Sequence, residues 1–369
     1  MLAPDPTVAT PASDVESPTV DAAAAGARVA GATGVSSRAS RRATVVAVLG
    51  GLLFLALLAS LAVGAKSIPL GTVIEAFTDY DRTNSDHLVV RELRLPRTIV
   101  GLLVGAALGV SGGVMQAVTR NPLADPGILG VNAGASFTVV IGIWGFGVGS
   151  TLGLVWFAFI GAAVASVVVY LLGSIGRGGA TPVRLALSGA ALSALLFAFT
   201  RAITLLDEAT LDQFRFWAVG SLSGRDQDVV TSIVWFVLAG LVLAIGLTRP
   251  LDAIGLGDDA AAGLGVRIGL TRVVSGLAIV LLCGAAVAAC GPIGFIGLVV
   301  PHAVRALVGP DQRWLMAGCA AAGPLVLIGC DTIGRVIARP GEVQVGVMTA
   351  AIGGPAFVFL VRRARMVQL

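Results

Sequence analysis

The sequence predicts an all-α polytopic membrane protein, and three observations predict it. Of 369 residues, 56% are hydrophobic and only 12% are charged, where a soluble protein of this length would carry about 25% charged residues. Forty-nine glycines with few aromatics suit membrane helices that pack through small residues. Ten apolar runs, most long enough to cross about 30 Å of hydrocarbon, are separated by polar turns.

Taken in order, residues 1–43 are mainly Ala, Ser, Thr, Pro and Gly without hydrophobic periodicity, which predicts a disordered tail. Arg41 and Arg42 precede the apolar run 44–64. Its small-residue end resembles a signal peptide, but its length and its distance from Met1 predict an uncleaved first helix. Further spans are expected at 98–118, 128–148, 151–173, 183–206, 229–248, 271–291, 292–308, 314–330 and 343–361. The run 292–308 is short and holds Pro301, His302 and Arg305, so it is expected to kink or to cross only in part as regular helix.

An even number of spans puts both termini on one side. If that side is the cytoplasm, it holds fifteen of the 25 basic residues, in keeping with the excess of positive charge expected there. Arg91, Arg94 and Arg97 break the pattern by crowding the outer end of the second span. The formal charge of +4 is scattered between spans and forms no dense patch, so no nucleic-acid partner is expected. Cys283, Cys290, Cys319 and Cys330 fall in or beside apolar runs and read as packing residues.

Within the second span, Gly101, Gly105, Gly109 and Gly113 recur every fourth residue. On a helix they line a groove roughly 18 Å long, which lets another backbone approach closely. No acidic residue falls inside the spans as drawn, which disfavours an ion-coupled transporter. The two histidines sit in no metalloprotease or nucleophile motif, which disfavours a membrane enzyme. No GxxxxGK[ST] is present, so ATP is not bound through a P-loop of this chain.

The loop 249–272 reads RPLDAIGLGDDAAAGLGVRIGLTR. Asp258 is expected to cap a short helix over 259–264, with acids at its positive end and Gly263 or Gly265 ending it. Alanines stand where an interfacial helix would show a broad apolar face and lysines. A compact knob for a partner's groove is therefore favoured over lipid contact. The segment 214–224, FRFWAVGSLSG, reads as interfacial aromatics followed by a loop.

These residues converge on a family. The chain resembles, over about 45–365, the permease subunits of FecCD-type ABC importers, which take up ferric siderophores, haem or cobalamin. The motifs are RLPR (94–97), GAALGVSG (105–112), Gln116 followed by RNPLADPGILG (120–130), and GAS (134–136). They continue as WAVGSLSG (217–224), LGDDAAAGLGV (256–266), GPIGFIGLVVPHAVR (291–305) and GEVQVGVMTAAIGGPAF (341–357). Gln344 departs from the family, standing where a proline is usual.

The resemblance implies ten helices, with helices 2–5 and 7–10 forming an inverted pseudo-repeat, in a permease domain over 44–365. It implies a homo- or heterodimer in a bacterial plasma membrane, with N and C termini cytoplasmic. Two cytoplasmic ATPase subunits would engage Leu256, Gly257, Asp258, Asp259, Ala262, Leu264, Gly265 and Val266. An extracytoplasmic binding protein would dock its carboxylates on Arg94, Arg97 and Arg335. By residue chemistry alone, Arg94 and Arg97 read rather as headgroup anchors of helix 2; the resemblance favours docking. The cargo implied is a ferric siderophore, with haem or cobalamin as alternatives. No cofactor is expected on this chain, with ATP confined to the partner ATPase, and helices 5 and 10 would line the path.

Overall fold

In order along the chain, the computed structural model, which describes residues 20–175 and 181–366, places α1 (Val20–Ala62), α2 (Leu70–Thr78), α3 (Ser85–Leu88), α4 (Leu95–Thr119), α5 (Val131–Phe146), α6 (Thr151–Ser174), α7 (Pro182–Leu206) and α8 (Glu208–Ala218). There follow α9 (Gln227–Gly246), α10 (Thr248–Gly255), α11 (Asp258–Gly263), α12 (Ile268–Cys290), α13 (Ile296–Val308), α14 (Gln312–Ile337) and α15 (Val345–Met366). A π-helical stretch, Val89–Arg94, leads into α4, and a 3₁₀ turn, Pro126–Leu129, leads into α5. Among the described residues, seven helical segments are long and apolar enough to cross a membrane. Val131–Phe146, Ile296–Val308 and Val345–Phe359 are shorter apolar helices. The chain is an integral membrane protein with an all-helical fold.

Part of the tail expected to be disordered, residues 1–19, lies outside the described residues. From Val20 the backbone is helical, as the alanine run 22–25 favours. The unit formed by Thr44–Leu369 is organised around α4, which is buried along most of its length. Pro96 opens α4 in its first turn, where its missing N–H costs nothing. Arg120 ends it in a left-handed conformation (φ 52°), with Asn121 N–H donating to the Gln116 carbonyl at 3.2 Å.

The four evenly spaced glycines of α4 face α14, while its fifth, Gly112, meets Gly297 of α13. A side chain added at Gly101 would meet Ile328, at Gly105 the Pro324 backbone, at Gly109 the Cys319 carbonyl, and at Gly113 Met316. Contacts that fall in number as α4 rises make the pair antiparallel. The approach is reciprocal, because a Cβ on Gly323 would strike the Gly105 carbonyl. Gly105→Val is therefore expected to destabilise the protein by about 1–3 kcal/mol through overpacking, read as a fall in midpoint temperature in detergent. Gly50→Ala, where a Cβ meets nothing within 4 Å, should be neutral or slightly stabilising.

The run 292–308 resolves into a non-helical turn and the 13-residue α13, roughly 20 Å long at ~1.5 Å per residue, too short to span alone. Phe295 holds a left-handed conformation (φ 68°) at the start of α13 and packs where side chains on Gly353 and Gly354 would otherwise sit. All four cysteines are buried free thiols.

Candidate functional site

The bundle carries a charged cluster at each end, and α4 joins them. At the first end, Arg97 on the opening turn of α4 meets Asp331 of α14 in a forked contact. Its Nη2 lies 2.6 Å from Asp331 Oδ1 and its Nε 3.0 Å from Oδ2. Its other arm, Nη1, donates to Glu342 Oε2 at 2.8 Å. The Asp331 side chain is only 2% exposed. A second guanidinium, that of Arg335 one helical turn on, approaches Asp331 Oδ2 at 3.2 Å.

The remaining donors of this end fan onto the C-terminus of α1. Arg335 Nη1 donates to the Ser60 carbonyl at 3.0 Å, and its Nη2 to Ser60 Oγ at 2.9 Å. Arg94 Nη1 donates to the Leu61 carbonyl at 2.6 Å, and its Nη2 to the Lys66 carbonyl. Arg339 Nη2 reaches the Gly64 carbonyl at 2.6 Å. Carbonyls at a helix C-terminus lack intrahelical partners and carry the negative end of the helix dipole, so cations there are favourable. The crowding of arginine at this end thus has a structural cause: Arg94, Arg335 and Arg339 satisfy carbonyls at and just beyond the end of α1, and Asp331 holds Arg335 together with Arg97.

Arg94 and Arg335, expected as docking groups, are therefore buried, at 6% and 5% exposure, and Arg97 is already bridged. Within this cluster four guanidiniums (Arg94, Arg97, Arg335 and Arg339) stand against two carboxylates (Asp331 and Glu342), so the cluster itself is positive. Asp331 corrects the expectation that the spans are free of acids. It lies within α14, which continues to Ile337 because the arginines compensate its charge. Glu342 lies outside the spanning helices. Burial raises its carboxyl's affinity for a proton, but a hydrogen bond from Ser223 and the Arg97 charge outweigh burial and hold it below the ordinary carboxylate range.

Beside this cluster lies a polar cavity of about 370 Å³, lined by Gln213, Ser221, Ser223, Arg225, Glu342 and Gln344 among others. Segment 214–224 departs in part from the interfacial aromatics and loop expected of it: Phe216 is exposed and 219–224 is a loop, but Trp217 turns inward. It begins within α8, and Trp217 is 6% exposed, held down where Gly291 and Gly220 bring three backbones together. The Ser221 N–H donates to the Cys290 carbonyl at 2.8 Å, and the Gly346 N–H to the Gly220 carbonyl at 3.0 Å. Gln344, at the unusual position, accepts through its carbonyl from Val347 N–H at 3.1 Å and Met348 N–H at 3.2 Å. The first turn of α15 forms there without a proline ring.

At the opposite end, α10 and α11 build the knob. Asp258 is not the cap of α11: Gly257 holds that position at φ 113°, a conformation a side chain would strain. Asp258 opens the helix instead and takes two cations, Arg272 Nη2 at 2.8 Å and Arg120 Nη2 at 3.4 Å. The far end closes as a Schellman turn, Val266 N–H to the Ala261 carbonyl at 3.0 Å and Gly265 N–H to the Ala262 carbonyl at 2.9 Å, with Gly265 at φ 81°. Ala261 roots the knob at 0% exposure, while Leu256 and Leu264 stand 70% and 66% exposed. Asp259 and Ala262 are exposed with them, and Val266 is half-buried.

Sequence reasoning missed Asp331 and Glu342 as partners of Arg97, since they lie 234 and 245 residues away. The signal available was local: Asp331 and Arg335 stand four apart, the spacing of facing charges on a helix.

Comparison with known proteins places the chain in a family. The chain is 48% identical to the ferric enterobactin transport system permease protein FepD of Escherichia coli, covering 89% of this chain and 97% of that one. It is 41% identical to the siderophore transport system permease protein YfiZ of Bacillus subtilis, over 89% and 98%. Among solved structures, an inward-facing metal-chelate type ABC transporter superposes with a TM-score of 0.76 at 28% identity, covering 87% of this chain and 99% of that one. The FecCD transport family matches residues 52–363, and the chain belongs to that family.

Proposed function

We propose that this chain is the membrane-spanning permease subunit of a binding-protein-dependent ABC importer for ferric siderophores, set in a bacterial plasma membrane with both termini cytoplasmic. The observation that carries the reading is the exposed, rigidly rooted knob of α11, wired through Asp258 to Arg120 of the central helix. Two cytoplasmic ATPase subunits bind it, and their ATP-driven motion reaches the far end through α4. The cargo reading rests on the relatives, whose names speak of enterobactin and siderophore transport.

Ten spans with an inverted repeat of α4–α7 and α12–α15 are supported by packing that recurs between the blocks. The second helix of each block, α5 and α13, is the short one. The first helix of each block packs on the third of the other, α4 on α14 and α12 on α6. Helices α7 and α15 leave apolar faces uncovered, with Leu187, Leu205, Val347 and Phe359 exposed. A second permease subunit covers those faces, and the two subunits enclose the path between them.

A binding protein docks at the end that holds Arg94, Arg97 and Arg335, drawn by the local positive charge of that cluster. Charge reversal at these buried groups would report folding as well as docking, so docking is best read from the intact protein. Association should weaken steeply with added salt, and salt-independent binding would oppose the assignment. The activity itself is tested by deleting the gene and growing the strain on a panel of iron sources. Loss of growth and of radiolabelled uptake confined to ferric siderophores supports the reading. Unaltered uptake of every chelate opposes it.

A further inference from the structure

We propose that a groove between α4, α6 and α12 holds an anionic phospholipid, with one acyl chain in an apolar cavity and the phosphate at Arg272. The cavity measures about 380 Å³, within the range of bound-ligand sites. Its walls include Met115, Val167, Leu171, Gly276, Leu277 and Val280. Its outer lip faces away from the bundle, with Val167, Leu171 and Leu277 at least half exposed. In a membrane protein such a slot opens on lipid, not on water.

Depth and polarity fit one leaflet. From Arg272 to Val280 the α12 wall runs about 12 Å at ~1.5 Å per residue, close to half of the roughly 30 Å hydrocarbon core. Thr119, Tyr170 and Arg272 line the rim at one end, and Ser166, one turn deeper, spends its hydroxyl on the Ala162 carbonyl. Arg272 gives its Nη2 to Asp258, but its Nε, although buried, has no hydrogen-bond partner. With Arg120 on the same carboxylate, the rim carries two guanidiniums against one acid. That net positive charge beside a hydroxyl-lined mouth matches a phosphodiester, and basic pockets between membrane helices bind anionic headgroups. The lipid would thereby seat against the root of the α11 knob.

The test uses the full-length protein in mild detergent, with native mass spectrometry and thermal unfolding as readouts. Phosphatidylglycerol should be retained on the order of fivefold better than phosphatidylcholine and should raise the midpoint temperature, whereas inorganic phosphate should not. Gly276→Leu places its Cβ where nothing lies within 4 Å, so the side chain projects into the slot and should abolish both effects. Arg272→Gln should remove the preference for the anionic lipid while leaving apolar retention. Equal retention of the two lipids in the wild type overturns the headgroup assignment without needing any variant. Undiminished phosphatidylglycerol binding by Gly276→Leu overturns the cavity assignment, and stabilisation by phosphate alone overturns the lipid.

Discussion

Asp331→Ala is expected to cost about 3–5 kcal/mol of stability, the price of leaving buried charges without their partner. The carboxylate is 2% exposed and bridges Arg97 to Arg335, so its loss leaves the buried Arg335 with no carboxylate and Arg97 with Glu342 alone. Glu342→Gln supplies the contrast. It removes the other carboxylate of the same arginine, but Glu342 is 32% exposed, and pairs open to solvent contribute about 0–1 kcal/mol. Midpoint temperatures in detergent should fall sharply for the first variant and little for the second. Equal shifts would mean that Asp331 is not the keystone of this end.

The second large effect concerns the knob. Ala262→Asp combined with Leu264→Asp should abolish copurification of the ATPase while leaving the permease folded. Both positions are exposed, and substitutions at such sites usually stay within about 0.5 kcal/mol. Ala261→Asp separates the two roles, because Ala261 is fully buried and an unpaired charge there should unseat the knob itself. Retention of the ATPase by the double variant would place the coupling surface elsewhere.

Much of the fold was legible because its determinants are local. The glycine spacing in 101–113 announced a close helix contact, and a four-residue period needs no knowledge of the partner. The knob was legible for the same reason, since its turns are set by Gly257 and Gly265. Its cap was misread because a side-chain oxygen competes with backbone freedom at that position, and the distant Arg120 and Arg272 drew Asp258 into an ion pair. The arginine end was the least legible. Arg94 and Arg97 stood out as a charge anomaly, but their acceptors are backbone carbonyls of α1 and a carboxylate 234 residues away. A buried acid compensated by distant cations looks, in sequence, like the end of a span, which is why Asp331 was placed outside one.

The central claim, an ATP-driven permease for ferric siderophores, is tested most directly in proteoliposomes holding this chain with its ATPase and binding protein. Uptake of the radiolabelled ferric siderophore that supports growth should require ATP and both partners and should continue when an uncoupler collapses the proton gradient. Uptake by the chain alone that collapses with the uncoupler would contradict the account and mark an ion-coupled transporter.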